Sequence, residues 1–267
     1  MSGDQISATT GATEIARAFV DARREGISLP AYPGERPETL AEAYAIQDQA
    51  LELWGDRAIG GWKVGKVPPQ HQERLGADRL AGPIFTDTIF EATSGLSLPI
   101  FAGGFAAAEA EFMLRLAPPA GATQPPATNA EARGWVDQVR LGIELASSPW
   151  AGINADGPCV TVSDHGNNHG LVLGPVLAEA EWDRLDEIEV AVLFDDDLVA
   201  TATTATMLDG PFGAIRFLLA NLAARGITPQ AGWWVSTGAV TGVHEVAAGT
   251  QVRATFAGAG EVEMRVG

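Results

Sequence analysis

The stretch Phe105-Ala-Ala-Ala-Glu109-Ala-Glu111-Phe112-Met-Leu114-Arg-Leu116 decides how the rest of the chain is read. Phe112, Leu114 and Leu116 alternate with Glu111, Met113 and Arg115, the period of two that marks a β-strand. Successive strand side chains point to opposite faces, so Glu109 and Glu111 share one face, with Cα atoms roughly 7 Å apart. Two carboxylates at that spacing on a stiff strand can converge on one ion, and such hard ligands suit Mg2+, Ca2+ or Mn2+ better than a soft metal. A strand with one solvated face has the same alternation, so Glu-x-Glu alone leaves both readings open.

Two other stretches bear on the choice. In Val139-Arg140-Leu-Gly-Ile-Glu144-Leu-Ala-Ser-Ser-Pro149, Glu144 interrupts an apolar run. A carboxylate there must be ion-paired, protonated or metal-bound, because burying it bare is too costly. Arg140 is the nearby ion-pair partner. In Ala58-Ile-Gly-Gly61-Trp-Lys63-Val-Gly65-Lys66-Val67, a strand places Gly61, Lys63 and Gly65 on one face. Glycine on both sides of a lysine leaves room for a ligand to approach its ammonium; a lysine guarding an edge strand is the other reading.

Composition bounds the function. The 267 residues, 46% hydrophobic and 19% charged, are enough for a large core in one domain or two. No apolar run approaches the ~18 residues of a membrane span, and the first ten residues have neither the basic nor the apolar region of a signal peptide. The single cysteine, Cys159, excludes an internal disulfide and a cysteine-based zinc site. Together these features predict a cytoplasmic protein with no membrane association. Seventeen basic against 34 acidic residues give a net charge of −17, which repels phosphate backbones, so no nucleic-acid partner is expected. An anionic substrate would need local cationic help, from Lys63 and a metal.

Along the chain, residues 1–10 read as a disordered tail and 11–267 as a single domain, with 11–57 forming a helical N-terminal part packed on it. The spacing predicts a helix over 12–24, with Ile15, Phe19 and Val20 on one side, and another from Glu38 to about Trp54. Leu40, Tyr44, Gln47, Leu51 and Trp54 follow its 3.6 period. Residues 30–37 are a turn-rich linker. His71 is a candidate acid/base in a loop and short helix. Residues 83–101 predict short strands. The Pro- and Ala-rich residues 117–131 form an exposed excursion within one domain, leading into a short helix to about Gln138. Residues 158–164 predict a strand, followed by the polar cluster His165-Gly-Asn-Asn-His-Gly170 and a returning strand. Glu187–Ala202 reads as a hairpin with Asp195-Asp-Asp197 at its tip, and Gly210–Arg225 as a helix striped by Ile215, Leu218, Leu219 and Leu222. The last third is strand after strand. Period alone gives an α+β fold.

Taken in order, Gly61-Trp-Lys-Val-Gly65, Gln72-Glu-Arg-Leu-Gly76, Gly82-Pro-Ile-Phe-Thr-Asp87, Glu109-Ala-Glu111, Ile143-Glu144, Asp164 with Gly174, and Ser236-Thr-Gly238 resemble the fumarylacetoacetate hydrolase superfamily, and within it the 2-keto-4-pentenoate hydratase and 4-oxalocrotonate decarboxylase branch. The resemblance covers roughly residues 10 to 267. It implies a mixed β-sheet roll or sandwich with flanking helices. It also implies Mg2+ or Mn2+ held by Glu109, Glu111 and Glu144, catalytic roles for Lys63 and Asp87, and a pocket lined by Asp164, Asn167 and Thr237. The implied activity is hydration of a 2-hydroxy-2,4-dienoate, with decarboxylation of a 2-keto acid as the alternative, in a homo-oligomer. Two positions depart from the resembling pattern. His165 and Asn167 stand in a run that is more usually Asp-Asn-Ala-Ser, and Ala239 stands where a serine is common.

Overall fold

The computed structural model describes residues 3–267, with side chains from residue 11. The disordered tail expected over 1–10 falls on residues 1 and 2, outside the described residues, and on the opening of α1 (Gly3–Glu25), where side chains are not described. Ile15, Phe19 and Val20 on α1 are buried, as their spacing predicts, and pack with Ile46 and Ala50 of α2 (Leu40–Trp54). A capping box starts α2: Thr39 accepts from the Glu42 N–H, and the Glu42 carboxylate accepts from the Thr39 N–H. Its fully buried positions are Ala43, Ile46, Gln47 and Ala50, so the burial stripe is shifted from the predicted one. The small alanines bring the helix backbone close to its neighbours, and Leu40, Tyr44, Leu51 and Trp54 lie half-buried at the flanks.

The strands form two sheets. The larger runs β2 (Arg79–Phe85), β1 (Ile59–Lys66), β10 (Trp234–Ser236), β5 (Phe105–Leu116), β6 (Val136–Ser148), β7 (Asn168–Leu177) and β3 (Ile89–Glu91), with β11 (His244–Glu245) also paired to β5. The smaller runs β4 (Ser97–Leu98), β13 (Gly260–Val266), β12 (Gln251–Phe256), β8 (Val190–Phe194) and β9 (Asp197–Ala202). The β1–β10, β3–β7 and β4–β13 pairs are parallel and the others antiparallel, so both sheets are mixed. Phe112, Leu141 and Ile143 of the larger sheet share one core with Val252, Phe256 and Val262 of the smaller. Three short helices, α3 (Pro69–Leu75), α4 (Asn129–Arg133) and α5 (Pro158–Ser163), and the longer α6 (Gly210–Ala224) complete the α+β fold. The α6 stripe of Ile215, Leu218, Leu219 and Leu222 is buried as predicted. Asp195 and Asp196 turn the β8–β9 hairpin with φ of 49° and 71°. Positive φ at both central positions marks the tight turn that matches strand twist. No described helix is long and apolar enough to cross a membrane.

Three expectations are corrected. Residues 158–163 form helix α5 rather than a strand. All six side chains are buried, so there is no polar alternation to hold the segment in a sheet, and Gly157 (φ 99°) followed by Pro158 is a helix start. The helix expected to reach Gln138 stops at Arg133, and β6 begins at Val136. Lastly, strand alternation through Trp233 and Trp234 predicts that one of them faces away from the core, yet both are buried, at 7% and 9% exposed. Trp233 joins the main core, while Trp234 packs with Ile84, Met113 and Leu171 in a second apolar layer.

Candidate metal centre and substrate cavity

Strands β5 and β6 pair antiparallel, with Glu109 directly opposite Glu144 and Glu111 opposite Gly142. This register collects the three carboxylates, and one oxygen from each lies within 4.8 Å of the others. All three residues are buried. Like charges opposite one another in a sheet repel, and burial strips away the water that would screen them. Among the described residues the one cation in contact is Lys63 from β1, whose Nζ lies 3.1 Å from Glu144 Oε2. Arg140, the sequence-level partner for Glu144, instead bonds Glu91 at 2.9 and 2.6 Å and the Gly174 carbonyl at 2.6 Å.

Neutral donors orient the carboxylates. Asn168 Nδ2 donates to Glu144 Oε1 at 2.7 Å. Ser236 Oγ lies 2.5 Å from Glu111 Oε2 and 3.1 Å from Glu144 Oε2, and the Gly238 N–H donates to Glu111 Oε2 at 3.0 Å. Glu111 Oε1 is buried and has no hydrogen-bond partner. Burial pushes the Glu109 carboxyl up to about 7, with Lys63 pulling it down and Glu144 pushing it up. Burial, then the Glu144 and Glu109 charges, push Glu111 well above the carboxylate range. Burial pulls Lys63 down, but the three carboxylates, Glu144 foremost, outweigh it and hold the ammonium above its ordinary value. Three carboxylates against one ammonium, with a buried carboxylate oxygen unpartnered, form an all-oxygen donor set that fits a hard divalent cation.

A cavity of about 670 Å³ reaches this cluster, with Lys63, Glu109, Asn167 and Thr237 on its wall. Thr237 Oγ1 donates to the Phe112 carbonyl at 2.8 Å. Asn167 Oδ1 accepts from Lys63 at 3.0 Å, and its Nδ2 donates to Asn154 Oδ1 at 2.9 Å, which fixes which way the amide points. Asn167 lies in a turn where His165, Gly166 and Asn167 are all left-handed, with φ of 56°, 65° and 60°. That conformation costs an ordinary L-residue about 1–2 kcal/mol, so the turn must be held from outside. A Cβ on Gly82 would lie 2.0 Å from the His165 carbonyl oxygen, so only glycine lets β2 approach the turn.

Arg23 of α1 holds the turn from behind. It bonds Asp164 at 2.5 and 2.8 Å, the Asn168 carbonyl at 3.1 Å and the Ser147 carbonyl at 3.2 Å. Asp164 also accepts from Ser148 Oγ at 2.7 Å. Burial alone would raise the Asp164 carboxyl; Arg23, with help from His165, holds it well below the usual range. His165 Nε2 accepts from the Trp54 indole at 3.1 Å, with Nδ1 3.3 Å from Asp164, and burial holds its pKa down.

The structure therefore brings together Lys63, Glu109, Glu111, Glu144, Asn167 and Thr237 of the sequence-predicted set. Asp164 is close but sits behind the turn, away from the cavity wall. Asp87 is not brought to the site: its side chain is 63% exposed and ion-paired with Arg57 at 2.9 Å. His71, on α3, is also off the wall. The room at Gly61 belongs to β10 and not to a ligand, because a Cβ there would lie 2.0 Å from the Trp234 carbonyl oxygen. Sequence reading missed Arg23, Asn154, Asn168 and Ser236 as functional partners. Ser236 and Asn168 stood inside quoted polar motifs, whereas nothing local marked Arg23.

No family model matches the chain, and no curated protein matches its sequence. Solved structures do match its fold. The 4-oxalocrotonate decarboxylase from Pseudomonas putida G7, complexed with calcium and acetate, matches with a TM-score of 0.78 at 20% identity, over 96% of this chain and 97% of that one. The same enzyme complexed with magnesium and adipate matches with a TM-score of 0.79 at 20% identity, over 100% and 98%. Fumarylpyruvate hydrolase from Pseudomonas aeruginosa, in complex with Mn2+ and pyruvate, matches with a TM-score of 0.54 at 16% identity, over 77% and 88%. The chain thus has the fold of the superfamily that its motifs resemble.

Proposed function

We propose that this chain is a divalent-metal-dependent lyase that adds water to a 2-hydroxy-2,4-dienoate, equivalently a 2-keto-4-enoate, giving a 4-hydroxy-2-keto acid as in aromatic meta-cleavage catabolism. The observation that carries the reading is the buried Glu109–Glu111–Glu144 cluster with Lys63 against it, reached by a cavity that Lys63 and Glu109 line. The three carboxylates would hold Mg2+ or Mn2+. Bound there, the cation supplies positive charge where a 2-keto acid develops enolate character.

The chain's own groups do the rest. The three carboxylates favour the ammonium form of Lys63, which suits it to steady an anionic substrate or to hold a proton for transfer. Of its three N–H donors, Glu144 and Asn167 engage two, which leaves one for an anionic substrate oxygen. Leu80, Phe105 and Met207 give the cavity an apolar stretch that suits a hydrocarbon chain and disfavours bulk water. Asn154 and Thr237 add polar groups to the wall.

Loss of CO2 from a 2-keto acid is the second reading. It uses the same charge stabilisation, and full-length likeness to a decarboxylase favours it. Acylpyruvate hydrolysis has less support: in the acylpyruvate hydrolase branch of the superfamily a His–Glu pair activates water, and no histidine is among the residues lining this cavity. A non-catalytic subunit that keeps the fold would bind metal without turnover. The deciding experiment is a screen of 2-hydroxydienoates and 2-keto acids with Mg2+ or Mn2+, following dienol absorbance and CO2 release. Loss of absorbance without CO2 supports hydration, and CO2 release supports decarboxylation. Metal binding with neither would overturn the enzyme reading.

A further inference from the structure

The left-handed turn His165–Asn167 grips Lys63 by its stem and by its head. A Cβ on Gly166 would lie 3.0 Å from Lys63 Cδ and 3.2 Å from Cγ, so the turn backbone packs directly on the stem. At the head, Nζ donates to Asn167 Oδ1 at 3.0 Å and lies 3.1 Å from Glu144 Oε2. An ammonium carries three donors on a rotating bond, so the direction of the third depends on how firmly the other two acceptors are fixed. Asn168 and Ser236 fix Glu144. The φ of 60° fixes the Asn167 backbone, in a conformation that a short polar side chain tolerates. The far end of the Asn167 amide is fixed by Asn154, whose Oδ1 accepts from Asn167 Nδ2 at 2.9 Å. Asn154 comes from a separate turn, 151–156, anchored by buried Ile153 and by the Trp150 indole donating to Asp156 at 2.7 Å. An amide bonded at one end follows the ammonium as it rotates; bonded at both ends, it pins it. A carboxylate at position 167 would pin the ammonium equally well but would cancel its charge, whereas an amide fixes direction and leaves the charge for a ligand.

We infer that Asn154 is a positioning residue: acting through Asn167, it sets the direction in which Lys63 presents its third N–H to the cavity that all three residues line. This rests on the reading of Lys63 as the cation that meets an anionic substrate oxygen. The turn is also where the chain departs from the pattern it resembles, at His165 and Asn167, so the amide pair is a device of this chain.

The test uses the fact that the chain has only two lysines, Lys63 and Lys66. Protein labelled with 15N at the lysine side chain gives two ammonium signals, and Lys66→Arg identifies which is which. On the Mg2+-loaded protein, the Lys63 ammonium protons are expected to exchange slowly with water in the wild type. In Asn154→Leu they are expected to exchange about tenfold faster, the worth of one hydrogen bond, with the melting temperature unchanged. Asn154→Asp keeps an acceptor oxygen for the Asn167 amide and is expected to retain slow exchange. In an Asn167→Ala background, with the middle of the relay gone, Asn154→Leu is expected to add nothing. Unchanged exchange in Asn154→Leu, or an equal effect with and without Asn167, would overturn the relay. The consequence for binding is read by calorimetry with oxalate, whose adjacent oxygens imitate the enolate of a 2-keto acid. Asn154→Leu is expected to bind it about tenfold more weakly than the wild type. Faster exchange with unchanged oxalate affinity would overturn the positioning role and leave the keto-acid reading standing. A metal-loaded wild type that binds no oxalate would bring down the keto-acid reading, and the exchange rates would still decide whether Asn154 holds Lys63.

Discussion

Glu111 is the residue whose two oxygens divide the work most clearly. Oε2 takes the Ser236 hydroxyl and the Gly238 N–H, and Oε1 has no partner. Glu111→Gln keeps the shape and removes the charge. It is expected to abolish turnover and to weaken Mg2+ or Mn2+ by more than the ~10–100-fold that loss of an outer-shell partner costs, in a chain that stays folded. Unchanged metal affinity by calorimetry would sink the assignment. Lys63→Ala should likewise lose turnover, by about a hundredfold or more in kcat, as when one electrostatic donor is removed from an active site, but should retain the metal. A wild-type kcat/KM would return Lys63 to a structural role. These residues were legible in the sequence for a physical reason. Glu109 and Glu111 obey a period of two, and Glu144 breaks an apolar run. Their hydrogen-bond partners were not legible, because Asn168 and Ser236 meet the carboxylates only through the pairing of β7 and β10 with the central strands.

At the scale of elements, α1 reaches the site, among its described side chains, through Arg23. Arg23 bonds Asp164 and two backbone carbonyls around the left-handed turn that aims Asn167 at Lys63. Arg23→Met would leave Asp164 buried and unpaired, a change expected to cost about 3–5 kcal/mol of stability. The pH dependence follows from the sign of the Asp164 shift. Its folded pKa lies below its unfolded value, so its contribution is complete above the unfolded value of about 4 and is lost as pH falls through the folded one. The gap between wild type and Arg23→Met in urea midpoints should therefore be widest near neutral pH and should narrow below about pH 4. A gap independent of pH would contradict the pairing as its cause. Elements with strong periodicity, such as α6 and the β8–β9 hairpin, were readable from sequence. Helix α5 was not: Cys159-Val-Thr-Val162 is a short apolar run that suits either conformation, and its burial on all sides was invisible before the fold was known.

For the whole molecule, the apolar surface expected at Trp233 or Trp234 lies elsewhere. On β9, an edge strand of the smaller sheet, Leu198 is 64% and Val199 39% exposed. An exposed apolar edge invites pairing, and closed symmetric assembly is its common outcome. We expect a homo-oligomer whose association strengthens with salt, since a net charge of −17 makes subunits repel until they are screened. A single mass near 27.9 kDa by light scattering at both low and high salt would refute this. The buried carboxylates act at the same scale. A cation that binds the folded chain and not the unfolded one adds about 2.7 kcal/mol when present at a hundred times its Kd, and in a protein of this size that is about 5–10 °C of Tm. Melting in EDTA should thus fall below melting in excess Mg2+ by that amount, and coincident curves would count against the site. Proteases draw on the unfolded fraction, and the cation sets that fraction. With Glu109 locked opposite Glu144 in the central sheet, a cell short of divalent metal would lose the protein itself to degradation, so its copy number would follow metal supply even with synthesis unchanged.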